Sequence, residues 1–327
     1  MTCNGPVDPP EEILARMGLI ADSERIVIES LTGGVSSDIR LVHIGKRMLV
    51  LKQPLPLLRV TTRWEAPLTR SAAEARWLRF AARVIPGVVP EVIAFDPDTF
   101  AIALEYLSPD RYANWKSLLL AGDVDAEFAA AVGRSIARLH AASAVDVTAA
   151  AAFDNQSMFE DLRIEPYLRR SAAAVPEVAA QIEQIIGLLE APGKAVIHGD
   201  LSPKNILQGP VSPVILDAEC ATWSDPAFDA AFCLSHLWLK AEHMPALADA
   251  LIDAGSAFRA AYLREVDWEQ SSAVDQRISR ILPGLLLARV AGASPVEYLD
   301  DDARKRVRDH VVDVLQGAAP LHHPMTA

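Results

Sequence analysis

The sequence is short of cysteine, of aromatic residues, of positive charge and of long apolar runs, and each shortage excludes something. The three cysteines (Cys3, Cys220 and Cys233) form neither a metal-binding spacing nor a disulfide framework, which fits a reducing cytosol. Aromatic residues make up 6% of the chain while 51% of it is apolar. Much of that apolar content is Ala and Leu, which favour helix. Lys and Arg number 31 against 43 Asp and Glu, a formal net charge of -12. This balance argues against a broad nucleic-acid surface, which needs clustered basic side chains, but leaves room for a local basic pocket for a phosphate. No apolar run approaches a membrane span, and the start, "MTCNGPVDPPEEIL", lacks the basic and apolar regions of a signal peptide. The expectation is a cytoplasmic protein with no nucleic-acid or membrane partner. Nothing in the sequence sets an oligomeric state.

At 327 residues the chain exceeds a typical single domain, so two lobes are expected. A short amphipathic helix is expected over 11–20. "RIVIESL" (25–31), "DIRLVHI" (38–44) and "RMLVLKQ" (47–53) read as strands of an antiparallel meander, with turns at "TGGVSS" (32–37) and "GK" (45–46). Helical periodicity follows over 69–84, with Thr69 or Ser71 as N-cap, then two strands within 91–107. Beyond Leu107 the pattern turns helical: 126–144, two helices in 159–191 broken near Pro176, then about 226–243, 245–264, 270–290 and 302–316. Between them lie the apolar runs "KAVI" (194–197) and "VILDAEC" (214–220). The expected class is α+β, with a small β-rich lobe over 1–106 and a larger, mostly helical lobe over 107–327.

The chemistry concentrates in "HGDLSPKNIL" (198–207), a loop between two apolar strands, where functional residues tend to gather. Asp200 and Asn205 share that loop, and Asp217 ends the next strand, "VILD". Oxygen ligands from adjacent loops suit Mg²⁺ on a polyphosphate, and a further carboxylate would receive a proton from a nucleophilic hydroxyl. In the first lobe, Lys52 ends an apolar strand with its stem packed. Glu74, on the one helix of that lobe, would fix the Lys52 ammonium for an anion, although Glu65 is also available. Gly33 and Gly34 would let backbone N–H groups approach a phosphate, or would simply turn a hairpin.

The order of glycine loop, strand Lys, helix Glu, "HGDLSPKN" and "ILD" resembles the protein-kinase-like phosphotransferases, whose pattern is H-R-D-x-x-x-x-N followed by D-F-G. The "HGD" form, with "DPAFD" (225–229) after it, is similar to the aminoglycoside phosphotransferase and choline kinase superfamily. Three features resemble its methylthioribose kinase branch: the insert within 51–75, the Asp217-x-Glu219 pair and "ARVAGASPVEYL" (288–299). Where that branch carries twin arginines, this chain has Ala288-Arg289.

The resemblance implies a bilobal protein-kinase-like fold using ATP and Mg²⁺. It implies Asp200 as catalytic base, with Asn205 and Asp217 on Mg²⁺. Glu219 would take a second Mg²⁺, or else be a solvated or arginine-paired carboxylate. Nucleotide contacts would come from Gly33, Gly34, Ser36, Lys52 and Glu74, and from the backbone of Glu105 and Leu107 at adenine. Arg289, Trp223 and His236 are candidates for the acceptor side, each with a plain packing or salt-bridge reading beside it. His236, Lys240 and His243 recur at helical spacing. His140 and His198 read as packed rather than catalytic, and Asp225 and Asp229 as ties between helix N-termini and the catalytic loop. The implied activity is ATP-dependent phosphorylation of a hydroxyl on a small polar metabolite. A methylthioribose-like sugar is the first candidate, an aminoglycoside or a choline-type amino alcohol the alternative. A reading of another class is a nucleotide-binding scaffold without catalysis.

Overall fold

The computed structural model describes residues 8–21, 24–31, 36–57, 59 and 65–321. Five antiparallel strands form the first lobe: β1 (Ile26–Leu31), β2 (Ser37–Ile44), β3 (Arg47–Pro54), β4 (Val92–Phe95) and β5 (Ile102–Glu105), in the order β1-β2-β3-β5-β4. Side chains alternate between the faces of such a sheet. On β3, Leu49 and Leu51 join Val42, Ile44, Ala101 and Ala103 in a small core closed by Ile13 and Leu14 of α1 (Pro10–Arg16). Val50 and Lys52 therefore face the other way, into the cleft between the lobes. The helix α2 (Arg70–Val84) crosses on that side. Its Trp77, Leu78, Phe80 and Ala81 belong to the same core as the helices of the second lobe.

The second lobe contains α3 (Trp115–Leu120), α4 (Ala126–Ala144), α5 (Ala149–Ala152), α6 (Gln156–Phe159), α7 (Arg170–Ala174), α8 (Ala179–Leu189), α9 (Ala227–His243), α10 (Ala248–Arg264), α11 (Ser271–Ala291) and α12 (Asp301–Leu315). Residues Ala227–Glu242 of α9 are buried without a break, which marks it as a central helix. Two small sheets join β6 (Ala113–Asn114), β8 (Ile206–Gln208) and β9 (Pro213–Ile215), and β7 (Ala195–Ile197) with β10 (Thr222–Ser224).

The long helices fall within a few residues of the expected ranges, and three local features differ. Glu160–Arg169 is wound as a π-helix around Pro166, which has no N–H to give, and the Arg170 amide bonds the Glu165 carbonyl five residues back. The strand expected over 214–220 stops at Ile215, because Asp217 takes a φ of +66°. The short helix α3 carries too few turns for a periodic signal and was not expected. Among the described residues, no single helix is long and apolar enough to cross a membrane.

The packing of α4 on α10 depends on Gly133: a Cβ there would lie 2.3 Å from the Phe258 carbonyl oxygen. Gly133→Ala is expected to lower stability by about 2–4 kcal/mol in urea unfolding. An unchanged midpoint would mean that these helices can slide apart at no cost.

Candidate active site

Three carboxylates surround one ammonium. On α2, Arg70, Glu74 and Leu78 recur every four residues and line the cleft together. Lys52 Nζ lies 2.7 Å from Glu74 Oε2 and 2.9 Å from Glu219 Oε1, and it also bonds Asp217. Glu65, the other carboxylate considered for this pairing, instead bridges Leu57 at the surface. Burial works to lower the Lys52 pKa, but Asp217, Glu219 and Glu74 outweigh it and hold the ammonium protonated well above its ordinary range. Burial pushes Glu74 up to about 8 against the pull of Lys52. Burial would also raise Asp217, yet Lys52 and Lys204 prevail and keep it below the usual carboxylate range. The oxygens of Glu74, Asp217 and Glu219 approach within 4.8 Å of one another, and Lys52 is the cation they share.

Glu219 has both oxygens engaged. Oε1 accepts from the hydroxyls of Ser36 and Ser37 at 3.0 Å each, and Oε2 accepts from Arg70 Nε at 3.1 Å. Of the readings for Glu219, this is the geometry of the arginine-paired carboxylate. Arg70 is itself fully buried and donates to the carbonyls of Ser36, Leu55, Ala66 and Pro67.

Opposite this group lies the 198–205 loop. The Asp229 carboxylate, at the first turn of α9, accepts from the His198 amide at 2.6 Å, the Gly199 amide at 2.9 Å and His140 Nε2 at 3.1 Å. Asp225 accepts from the Ala227 amide and from Arg277. Gly199 has a φ of +77°, and a Cβ there would lie 2.5 Å from the Cys220 carbonyl oxygen. His198 bonds the Leu216 carbonyl through Nε2 and accepts from the Asp200 amide at Nδ1, and burial keeps it neutral by lowering its pKa. Asn205 Nδ2 donates to Asp200 Oδ2 at 2.9 Å, which leaves its Oδ1 as an acceptor.

Asp200 also meets Arg163 at 3.1 Å and Lys204 at 3.0 Å. Burial would raise its pKa, but these two cations hold it below the ordinary value. Sequence reasoning missed both of them. Arg163 lies 36 residues ahead of Gly199, on the π-helical segment, and also donates to the Gly199 carbonyl. Lys204 stands inside the quoted motif, four residues after Asp200, a spacing that was there to be used.

One cleft of about 920 Å³ brings together Ser36, Lys52, Glu74, Glu105, Leu107, Asp200, Asn205, Asp217 and Glu219. Its apolar end is lined by Val50, Leu104, Leu207 and Leu216. The Glu105 amide is taken by the Glu91 carbonyl at 2.9 Å, so Glu105 can offer a base only its own carbonyl. Gly33 and Gly34 lie outside the described residues. Trp223 does not line the cleft: β10 pairs with β7 and sets its ring against Gly193. His236 packs on Phe232 behind the cleft wall. Arg289 reaches the wall through the hydroxyls of Tyr167 and Ser294, at 3.2 and 3.0 Å.

With this geometry in view, comparison with known proteins is informative. Residues 27–268 match the model of the phosphotransferase enzyme family. Methylthioribose kinase 2 of Oryza sativa subsp. japonica is 26% identical over 254 residues, which is 69% of this chain and 59% of that protein. The chain spans 59% to 63% of the length of the curated methylthioribose kinases it matches in Oryza sativa and Bacillus cereus. A solved amicoumacin kinase, in complex with AMP-PNP and Ca²⁺, superposes with a TM-score of 0.60 at 14% identity, over 95% of this chain and 94% of that one. Choline kinase from Cryptosporidium parvum superposes with a TM-score of 0.56 at 13% identity, over 97% and 98%. At such identities the likeness concerns the fold, and it is the bilobal α+β kinase fold.

Removing Arg70 would leave Glu219 buried with only Lys52 as cation and strip a donor from four carbonyls. Arg70→Met is expected to cost about 3–5 kcal/mol, and Arg70→Lys to recover little, since one ammonium cannot fork to five acceptors. Denaturant unfolding measures both, and full recovery by lysine would refute the fork.

Proposed function

Because the chain belongs to the phosphotransferase enzyme family, we propose that it transfers the γ-phosphoryl group of ATP to a hydroxyl of a small polar metabolite, a methylthioribose-like sugar being the first acceptor to consider. One observation carries this reading: Lys52, held by Glu74, and Asp200, held by Arg163 and Asn205, face the same cleft. The apolar end of the cleft fits an adenine ring, with the Glu105 carbonyl and the Leu107 backbone at its edge. Lys52 would meet the α- and β-phosphates, as a buried lysine fixed by a carboxylate does in this chemistry. Ser36 lines the cleft on the phosphate side of this reading, and Gly33 and Gly34 remain candidates for phosphate contact by sequence.

The donor set near Asp200 suits Mg²⁺: Asn205 presents an amide oxygen and Asp217 a carboxylate kept ionised by its neighbours. These two residues would hold the ion, while Glu219 acts as the anchor of Arg70. Bound there, Mg²⁺ would offset charge on the phosphates. Asp200, ionised throughout the neutral range, would accept the hydrogen bond of the acceptor hydroxyl and align its oxygen with the γ-phosphorus. Its low basicity matches a loose transition state, in which the proton leaves late and positioning does most of the work. Lys204 would stand beside the transferring group.

The test is ADP release from MgATP against a panel of hydroxylated metabolites. Asp200→Asn is expected to lower kcat by about a hundredfold or more with MgATP affinity nearly unchanged, and near-normal turnover would sink the assignment. Arg163→Met would leave burial less opposed at Asp200, so its pKa rises and the acid limb of the pH–rate profile moves to higher pH. An unmoved limb would show that Arg163 does not set the charge of Asp200.

A further inference from the structure

The outer face of α2 carries positive charge that the fold leaves largely unanswered. Within Arg70–Val84 stand four arginines and a single carboxylate, Glu74, in a chain whose net charge is -12. Arg70 and Glu74 are turned to the cleft. The other three, Arg76, Arg79 and Arg83, recur at helical spacing and line a separate cavity of about 290 Å³ on the opposite side of the helix. Like charges three and four residues apart weaken a helix unless something offsets them.

This cavity lies between the lobes. Phe80 lines it from α2, Phe95 from the end of β4, and Ala149, Ala152 and Phe153 from the second lobe. Phe80 and Phe153 are buried and meet edge to face, with ring centroids 6.2 Å apart. Arg76 is fixed in place: it donates to the Ala152 carbonyl and lies 5.8 Å over the Phe153 ring. Arg79 and Arg83 make no hydrogen bond and no ion pair among the described residues. One carboxylate lines the same cavity. Asp146 accepts from the Thr148 hydroxyl at 2.7 Å and the Thr148 amide at 2.9 Å, which hold it ionised below its ordinary range, and Arg83 acts on it at longer range. Three guanidiniums therefore share a cavity with one carboxylate that is already engaged.

We infer that this cavity is a second binding site, for a small polyanion bearing phosphate or carboxylate groups. Guanidiniums receive such groups through paired, charge-assisted hydrogen bonds, and Arg79 and Arg83 have their donors free among the described residues. The phenylalanine floor keeps water from one side of the bound charge, which strengthens each contact. The volume has room for a metabolite-sized ion. The site is distinct from the cleft and does not rest on the phosphoryl-transfer reading. Its occupant would bridge α2 to the 146–153 segment and so steady the helix that bears Glu74.

The experiment is calorimetry on the full chain without nucleotide, with inorganic pyrophosphate and citrate as probes and glycerol as the neutral control. The expected result is a site for at least one anion that weakens about tenfold or more in each of Arg79→Ala and Arg83→Ala. Which anion binds tells phosphate from carboxylate. Both side chains are exposed, so these variants are expected to keep the parent's unfolding midpoint. Two control variants are expected to retain the site: Lys204→Ala, which removes an exposed cation of the cleft, and Arg134→Ala, which removes an exposed arginine of α4. Binding lost in Lys204→Ala but kept in both α2 variants would put the anion in the cleft and overturn the inference. An equal loss in Arg134→Ala would show general charge attraction and overturn it as well. So would the absence of binding by both anions, and each of these results leaves the kinase reading untouched.

Discussion

The fold is organised around the burial of one ammonium. Lys52 is 5% exposed and touches carboxylates from α2 and two from the segment after β9. Three carboxylates around one lysine would leave an excess of buried negative charge, and Arg70 meets part of it through Glu219. Neither cation can be removed alone, since each leaves charge in a low-dielectric interior where desolvation dominates. The group therefore ties β3, α2 and the segment after β9 into one electrostatic unit.

That unit is continuous with the apolar core. Trp77 lies one turn beyond Glu74 on α2, is fully buried, and meets the His198 ring edge-on at 4.9 Å. His198 in turn accepts the Asp200 amide and bonds the carbonyl just before Asp217. A shift of α2 would thus be felt at both ends of the cleft, because close-packed side chains transmit displacement. The helix that orients the lysine and the loop that bears Asp200 are set by the same contacts.

Much of this was legible because it is local in sequence. The "HGDLSPKN" loop and the strand-end position of Lys52 need only short windows and a period of two or four. Glu74 was legible as the one acidic residue of its helix. What escaped notice acts across long separations. Arg163 reaches Asp200 from a segment whose winding is not that of an α-helix, so no periodic pattern marks it. Arg70 stands where the sequence suggests a helix start, and Thr69, at the cap position, makes no capping bond. The extended pattern of "VILDAEC" was followed too far, since the left-handed Asp217 leaves no trace in hydropathy. Trp223 looked available because it follows Glu219, but the small β7–β10 sheet turns it away.

Gly199 carries one more consequence. In H-R-D kinases the residue at this position is an arginine, and ordering of activation loops there runs through new pairs between arginine and a phosphorylated residue. Here the backbone conformation and the Cys220 carbonyl leave no room for any side chain. The guanidinium beside Asp200 comes instead from Arg163, wedged over the Tyr167 and Phe232 rings. A cation built into the interior in this way cannot be lent to a passing phosphate. The loop that bears Asp200 is thus held by contacts already inside the fold, and its charge is set there.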